Sequence, residues 1–168
     1  MTLQTYTDNL STDQQYKLAI RLTKLTLSIW EKYADQHELK YTDTVVGMHH
    51  NVPRQLLKDS IAAVEKYLLT NIFVRLFNNR GKLLDLHDQF TDPIVALQDC
   101  DWELPNEVNK TFYSVYNLLE TVIGKSQTVF GDSTIYVSIN QAIDALESSK
   151  ALTKDQIKKI LYDIKNGL

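Results

Sequence analysis

Leu18, Leu22, Leu25, Ile29 and Tyr33 recur at steps of three or four residues, a spacing that stacks all five on one face of an α-helix. Directly ahead of them, Ser11-Thr-Asp-Gln14 has the form of a capping box. The serine oxygen accepts from an otherwise unpaired backbone donor, and the glutamine reaches back to the cap. Together they predict a long helix running to about Gln36. Only five glycines and three prolines interrupt the 168 residues, so the remaining elements are expected to be few and long as well.

A second stripe comprises Leu57, Ile61, Val64, Leu68, Ile72 and Leu76, broadened by Leu56, Leu69 and Phe73. Asn51 before Val52 and Pro53 reads as its N-cap, and Gly81 at the end of Asn78-Asn-Arg-Gly81 as its left-handed C-terminal stop. This helix is expected at the centre of the fold. Tyr41 to Asn51 then forms a joint, an ordered turn or short helix in which Gly47 allows a tight approach and Val45, Val46 and Met48 enter the core. A short helix carrying Leu83, Leu84 and Leu86 follows, and Asp92-Pro93 starts another through Leu97. Val108, Phe112, Val115, Leu119 and Val122 mark a third long helix between Pro105 and Gly124, and Ile139, Ala142, Ile143 and Leu146 a fourth. Thr153-Lys-Asp-Gln156 is a second capping box, opening a last helix with Ile157, Ile160, Leu161 and Ile164 inward. Thr134-Ile-Tyr-Val137 has strand-like composition but nothing to pair with, and is taken as the approach to the fourth helix. The expected fold is all-α: a single domain over residues 1–168, a helical bundle of about five to six principal helices.

A chain of this length can bury roughly two thirds of the surface its unfolded form exposes. At 43% hydrophobic and 23% charged residues, it lies far from the composition of disorder. MTLQTYTDNLS has neither the basic start nor the apolar stretch of a secretory signal. The longest charge-free apolar run, Tyr67 to Val74, is too short to span a bilayer. The lone Cys100 excludes an intrachain disulfide and a cysteine-rich zinc site. The chain is therefore read as cytoplasmic, without a membrane partner, and its net charge of −3 argues against nucleic acid.

The sharpest catalytic reading joins His49 or His50 to His87-Asp88 and a later aspartate, Asp132 or Asp144. This resembles the H…HD…D order of helical metal-dependent phosphohydrolases, in which two imidazoles and two carboxylates hold a divalent metal that acidifies its bound water. An HD-like hydrolase using His50, His87 and Asp88 is thus one alternative. The pattern is unspecific, because an HD pair is common and the last aspartate can be chosen from several. The competing reading is that His49 and His50 line a turn. The chain has no E-x-x-H, H-E-x-x-H, G-x-G-x-x-G, phosphate-binding loop or G-x-S-x-G. Asp99 and Asp101 disfavour a thiolate at Cys100. Phe112, Tyr113 and Tyr116 have the spacing of core with hydroxyls at the rim. No catalytic residue, metal ligand or cofactor is assigned.

Charge is distributed unevenly. Asp85, Asp88, Asp92, Asp99, Asp101, Glu103 and Glu107 fall within the 27 residues from Leu83 to Asn109, which contain no lysine or arginine. Fourteen acidic and eighteen basic residues remain elsewhere, net +4. A segment of one sign suits docking to a basic protein, since its field speeds association and rejects like-charged surfaces. Asp85, Asp88, Asp99, Asp101, Trp102 and Glu103 are the expected partner-binding residues, with Trp102 as an aromatic anchor inside an acidic rim. The plainer alternative is that these carboxylates solvate a loop or pair with the protein's own lysines, with Asp92 and Glu107 complementing helix N-termini.

The opening LSTDQQYKLAIRLTKLTLSIWEKYA, followed by YTDTVVGMHHNVPRQLLKDSIAAVEKYL, resembles the first half of small all-helical bacterial immunity-type proteins of polymorphic and contact-dependent toxin systems, over roughly residues 10–70. The resemblance implies a compact cytoplasmic protein without catalysis that covers the active site or substrate groove of a toxin. Its partner would be a basic toxin domain.

Overall fold

Residues 2–69 and 80–167 are described by the computed structural model. Its elements run α1 (Leu3–Asp8), α2 (Thr12–Gln36), β1 (Lys40–Asp43), β2 (Met48–Asn51), α3 (Leu56–Leu69), α4 (Arg80–Gln98), α5 (Asn106–Ile123), α6 (Thr134–Ser148) and α7 (Lys154–Lys165). The all-α expectation holds, with seven helices and one two-stranded ribbon among the described residues.

Both capping boxes form as the sequence dictates. Gln14 N–H donates to Ser11 Oγ while the Gln14 side chain receives Ser11 N–H, and Gln156 and Thr153 repeat the exchange at α7. Gly124 ends α5 in the left-handed region at φ 103°, its N–H donating to the carbonyls of Glu120 and Thr121. On α2 the buried face is Leu18, Ala19, Leu22, Thr23, Thr26, Trp30 and Ala34, so it is rotated toward two threonines and away from Leu25, Ile29 and Tyr33. Burying the hydroxyls costs little because each has an acceptor: Thr23 Oγ1 donates to Ala19 O at 2.9 Å and Thr26 Oγ1 to Thr23 O at 2.8 Å.

The central helix is α5, which packs against α2, α3, α4 and α6, rather than the helix that follows the joint at residues 41–51. Its seam with α6 is made of small hydroxyl residues that let two backbones approach closely. Ser138 Oγ donates across it to Ser114 O at 2.8 Å, and Thr121 Oγ1 to Thr134 Oγ1 at 2.8 Å. Thr134-Ile-Tyr-Val137 is the first turn of α6, tertiary packing having overridden its strand propensity. The unexpected α1 is capped by Thr2. It buries Tyr6, whose hydroxyl donates to Leu161 O and ties the first helix to the last.

Three local expectations are corrected. First, Tyr41 to Asn51 is a β-hairpin with Tyr41 opposite His50 and Asp43 opposite Met48. Asn51 therefore lies in a strand rather than capping a helix. The turn is made by Asp43, whose Oδ1 accepts from Val45 and Val46 N–H at 2.8 and 3.1 Å, and by Gly47 at φ 68°. Gly47 serves backbone conformation and not close packing, since a Cβ there would meet nothing within 4 Å. Val45, Val46 and Met48 point to solvent instead of the core.

Second, Arg80–Gln98 is one helix. Leu83, Leu86, Phe90 and Ile94 keep a 3.6-residue period across Pro93, and burying that continuous stripe outweighs the proline's missing hydrogen bond. Asp92 therefore lies in mid-helix, whereas Glu107 does occupy a first turn, that of α5. Third, Gly81 sits within the first turn of α4 rather than in a left-handed stop. The expected continuation of the second stripe through Ile72, Phe73 and Leu76 lies outside the described residues.

Candidate functional site

Along α4 the core takes Leu83, Leu86, Phe90 and Ile94, at a helical pitch of 3.6 residues. Asp85, Asp88 and Asp92 follow at steps of three and four, and Asp99 seven residues further, which places all four on the side of the helix opposite that core. All four are exposed. Asp99 N–H still donates to Val95 O at 2.9 Å, so the acidic line continues past the last helical residue.

The chain then reverses. Cys100, exposed, takes the left-handed conformation at φ 62°, and the N–H groups of Asp101 and Trp102 both donate back to Ala96 O, at 2.8 and 3.1 Å. This turn sends consecutive side chains in opposite directions. Asp101 Oδ2 accepts from Thr44 N–H at 3.1 Å and so fastens the hairpin to the acidic loop. Trp102 goes into the core, where it lies edge-on to Phe112 at 5.6 Å and against Tyr41 at 5.9 Å. The expectation of Trp102 as the aromatic anchor inside an acidic rim is corrected by its burial: its indole holds the hairpin and α5 together. Glu103 is exposed beside it.

The carboxylates of this segment differ from the others in what they touch. Eight of the fourteen acidic residues elsewhere pair with a lysine or arginine: Asp13, Asp35, Glu38, Glu65, Glu120, Asp144, Asp155 and Asp163. Among the described residues none of the seven between Asp85 and Glu107 does so, and Asp88 has only the His87 ring, at 3.7 Å. Among the described residues, then, these carboxylates are not used to neutralise the protein's own lysines.

A second polar cluster lies between α4 and α5. Glu120 Oε1 receives His87 Nε2 at 2.9 Å, Tyr116 Oη at 2.9 Å and the Lys125 ammonium, with the His87 and Tyr116 rings stacked at 5.5 Å. Burial pushes the Glu120 carboxyl up, but the hydrogen bonds from Lys125, His87 and Tyr116 together outweigh it and hold the group below the usual carboxylate range. Burial and the adjacent carboxylate push Tyr116 the other way, keeping it neutral. A carboxylate this close to the C-terminus of α5 opposes the helix dipole, and Lys125 and His87 compensate for it. The cluster thus fastens two helices.

Glu120→Gln is expected to cost about 1–3 kcal/mol at pH 7, the range for leaving buried hydrogen-bond partners unsatisfied and less than for breaking a fully buried ion pair, because Lys125 is half exposed. A depressed folded pKa contributes stability that is fully present above the unfolded value of 4.5 and lost as pH falls through the folded value. Urea unfolding between pH 7 and pH 3 should therefore show a steeper acid decline in the wild type than in the variant. Parallel declines would contradict this role.

The hydrolase alternative needs His50, His87 and Asp88 together, and the structure does not bring them so. His50 stacks on Tyr41 at 5.1 Å on the hairpin, and His49 Nδ1 meets Thr42 Oγ1 at 2.9 Å. His87 is at Glu120, eight residues and about 12 Å along α5 from the Phe112 end where the hairpin docks. Asp144 is taken by Lys110 at 2.5 Å. Among the described residues, no three of histidine, cysteine, aspartate and glutamate gather as metal ligands.

A groove of about 810 Å³ runs between α2, α3 and α7, lined by Tyr16, Ile20, Leu25, Leu68, Leu69 and Ile164. The cations on its rim are engaged within the protein: Lys17 with Asp13, Arg21 with Asp163, Lys24 with Glu65. None of the sequence-predicted site residues lines it. No described helix is long and apolar enough to cross a membrane. No protein-family model, curated protein or solved structure matches the chain.

Proposed function

We propose that the chain is a non-enzymatic interaction protein that docks a basic protein partner through the acidic face formed by Asp85, Asp88, Asp92, Asp99, Asp101 and Glu103. The observation that carries this reading is the contrast in pairing. The carboxylates of this face have no lysine or arginine partner among the described residues, while most of the others do. Unpaired like charges along one helix side repel one another, a standing cost that a complementary surface removes. An immunity protein that covers the basic cleft of a toxin domain in the bacterial cytoplasm is the biological role most consistent with this face and with the resemblance carried by residues 10–70.

The test is capture of a candidate basic toxin domain, such as one encoded beside this gene, on the immobilised chain. Asp88→Lys combined with Asp99→Lys should reduce capture at low salt by ten-fold or more, while Asp155→Lys, which reverses a carboxylate on α7, should leave it unchanged. Equal capture by all three proteins would reduce the acidic face to solvated surface.

A further inference from the structure

We infer that the hairpin tip, Val45, Val46 and Met48, is the apolar anchor of this docking face and seats in a cleft of the partner ringed by lysine and arginine. The inference rests on the docking reading above and supplies the anchor that Trp102, being buried, does not.

Val45 is 91% exposed, Val46 61% and Met48 58%. The side chains of these two β-branched residues, in the middle of a four-residue turn, take no part in the buried core, in positions where asparagine, aspartate, glycine or serine favours the turn. The tip is also held still before any partner arrives. Asp43 Oδ1 accepts from Val45 and Val46 N–H, Gly47 N–H donates to Asp43 O at 2.8 Å, and Asp101 holds Thr44 N–H. Beneath it, Tyr41 is clamped between His50 and Trp102. A pre-ordered apolar finger loses little entropy on insertion, which is what an anchor requires. The occupant follows from charge. The carboxylates of Asp43 and Asp101 flank the tip, and Asp99 and Glu103 lie on the same loop as Asp101, so a partner whose apolar cleft has a basic rim meets complementary charge on closing.

A second apolar tip supplies the internal control. Val129 and Phe130 are 93% and 90% exposed on the turn before α6, at the end of α5 away from the hairpin and from Asp99, Asp101 and Glu103, with Lys125 and Asp132 in the same loop.

The test uses the full chain and two synthetic peptides. One is lysine-rich with two leucines and a phenylalanine at its centre; in the other these three are serine. Binding is followed by titration calorimetry and by backbone amide shifts. The wild type should prefer the apolar-centred peptide by about ten-fold or more, with shifts centred on residues 44–48. Val45→Thr with Val46→Thr keeps β-branching and overall shape, and should abolish that preference while retaining the affinity for the serine peptide. Val129→Thr with Phe130→Ser should change neither. If both peptides bind the wild type equally, or if the Val45→Thr/Val46→Thr protein keeps the preference, the hairpin is not the anchor although acidic docking stands. If neither peptide binds, the docking reading fails with it.

Discussion

Phe112→Ala is expected to destabilise the protein by about 3–5 kcal/mol, the range for truncating a fully buried aromatic side chain. Phe112 has no solvent exposure, and three other rings converge on it: Phe90 at 4.8 Å, Trp30 at 5.6 Å and Trp102 at 5.6 Å. These rings come from α2, α4 and the loop before α5, so the cavity left by alanine is bounded by elements that cannot all collapse into it without shearing the bundle. Against a total stability of roughly 5–15 kcal/mol for a single domain, the loss is a large fraction. Urea unfolding should show a lower midpoint at unchanged slope. A loss below about 1 kcal/mol would show that this aromatic centre is not close-packed.

Trp102→Ala is expected to cost about 3–4 kcal/mol and to release the hairpin, because the indole fills the space between Phe112 and Tyr41. Near-ultraviolet circular dichroism and the amide shifts of residues 40–51 report the release directly. An exposed interface residue behaves differently, its truncation leaving stability within about 0.5 kcal/mol. A Trp102→Ala protein of unchanged stability that had lost its partner would return the indole to the interface and contradict the buried position.

What the sequence declares and what it hides follow physical lines. α2, α5 and α7 are legible because their ends carry local chemistry, Ser11 with Gln14, Gly124, and Thr153 with Gln156, and because their apolar period is sustained for three or more turns. The hairpin is not legible, since strands of four residues such as Lys40–Asp43 and Met48–Asn51 are too short for alternation to register. Asp43 and Gly47 were its available signal, a carboxylate placed for a turn and a residue free to adopt positive φ.

Pro93 misleads because a local breaker is weighed without the tertiary contacts of Phe90 and Ile94 that hold the helix through it. Counting apolar residues alone misses Thr23, Thr26, Ser114 and Ser138, all fully buried, whose hydroxyls return to helical carbonyls. Of the acidic face, the list of carboxylates was readable from sequence, and their common side on α4 follows from spacing once the helix is known to be continuous. Their lack of cationic partners and the burial of Trp102 depend on long-range packing, which one sequence does not display.

If this acidic face steers a basic partner, the rate of association must depend on ionic strength. With the partner captured on the wild type, stopped-flow association should be fast at low salt and fall steeply as added salt shortens the screening length from about 30 Å at 0.01 M to about 8 Å at 0.15 M. Asp88→Lys with Asp99→Lys should associate at least ten-fold more slowly at low salt, converge on the wild type at high salt, and leave the dissociation rate nearly unchanged. Wild-type association that is indifferent to salt, or a deficit in the variant that persists at high salt, would contradict it.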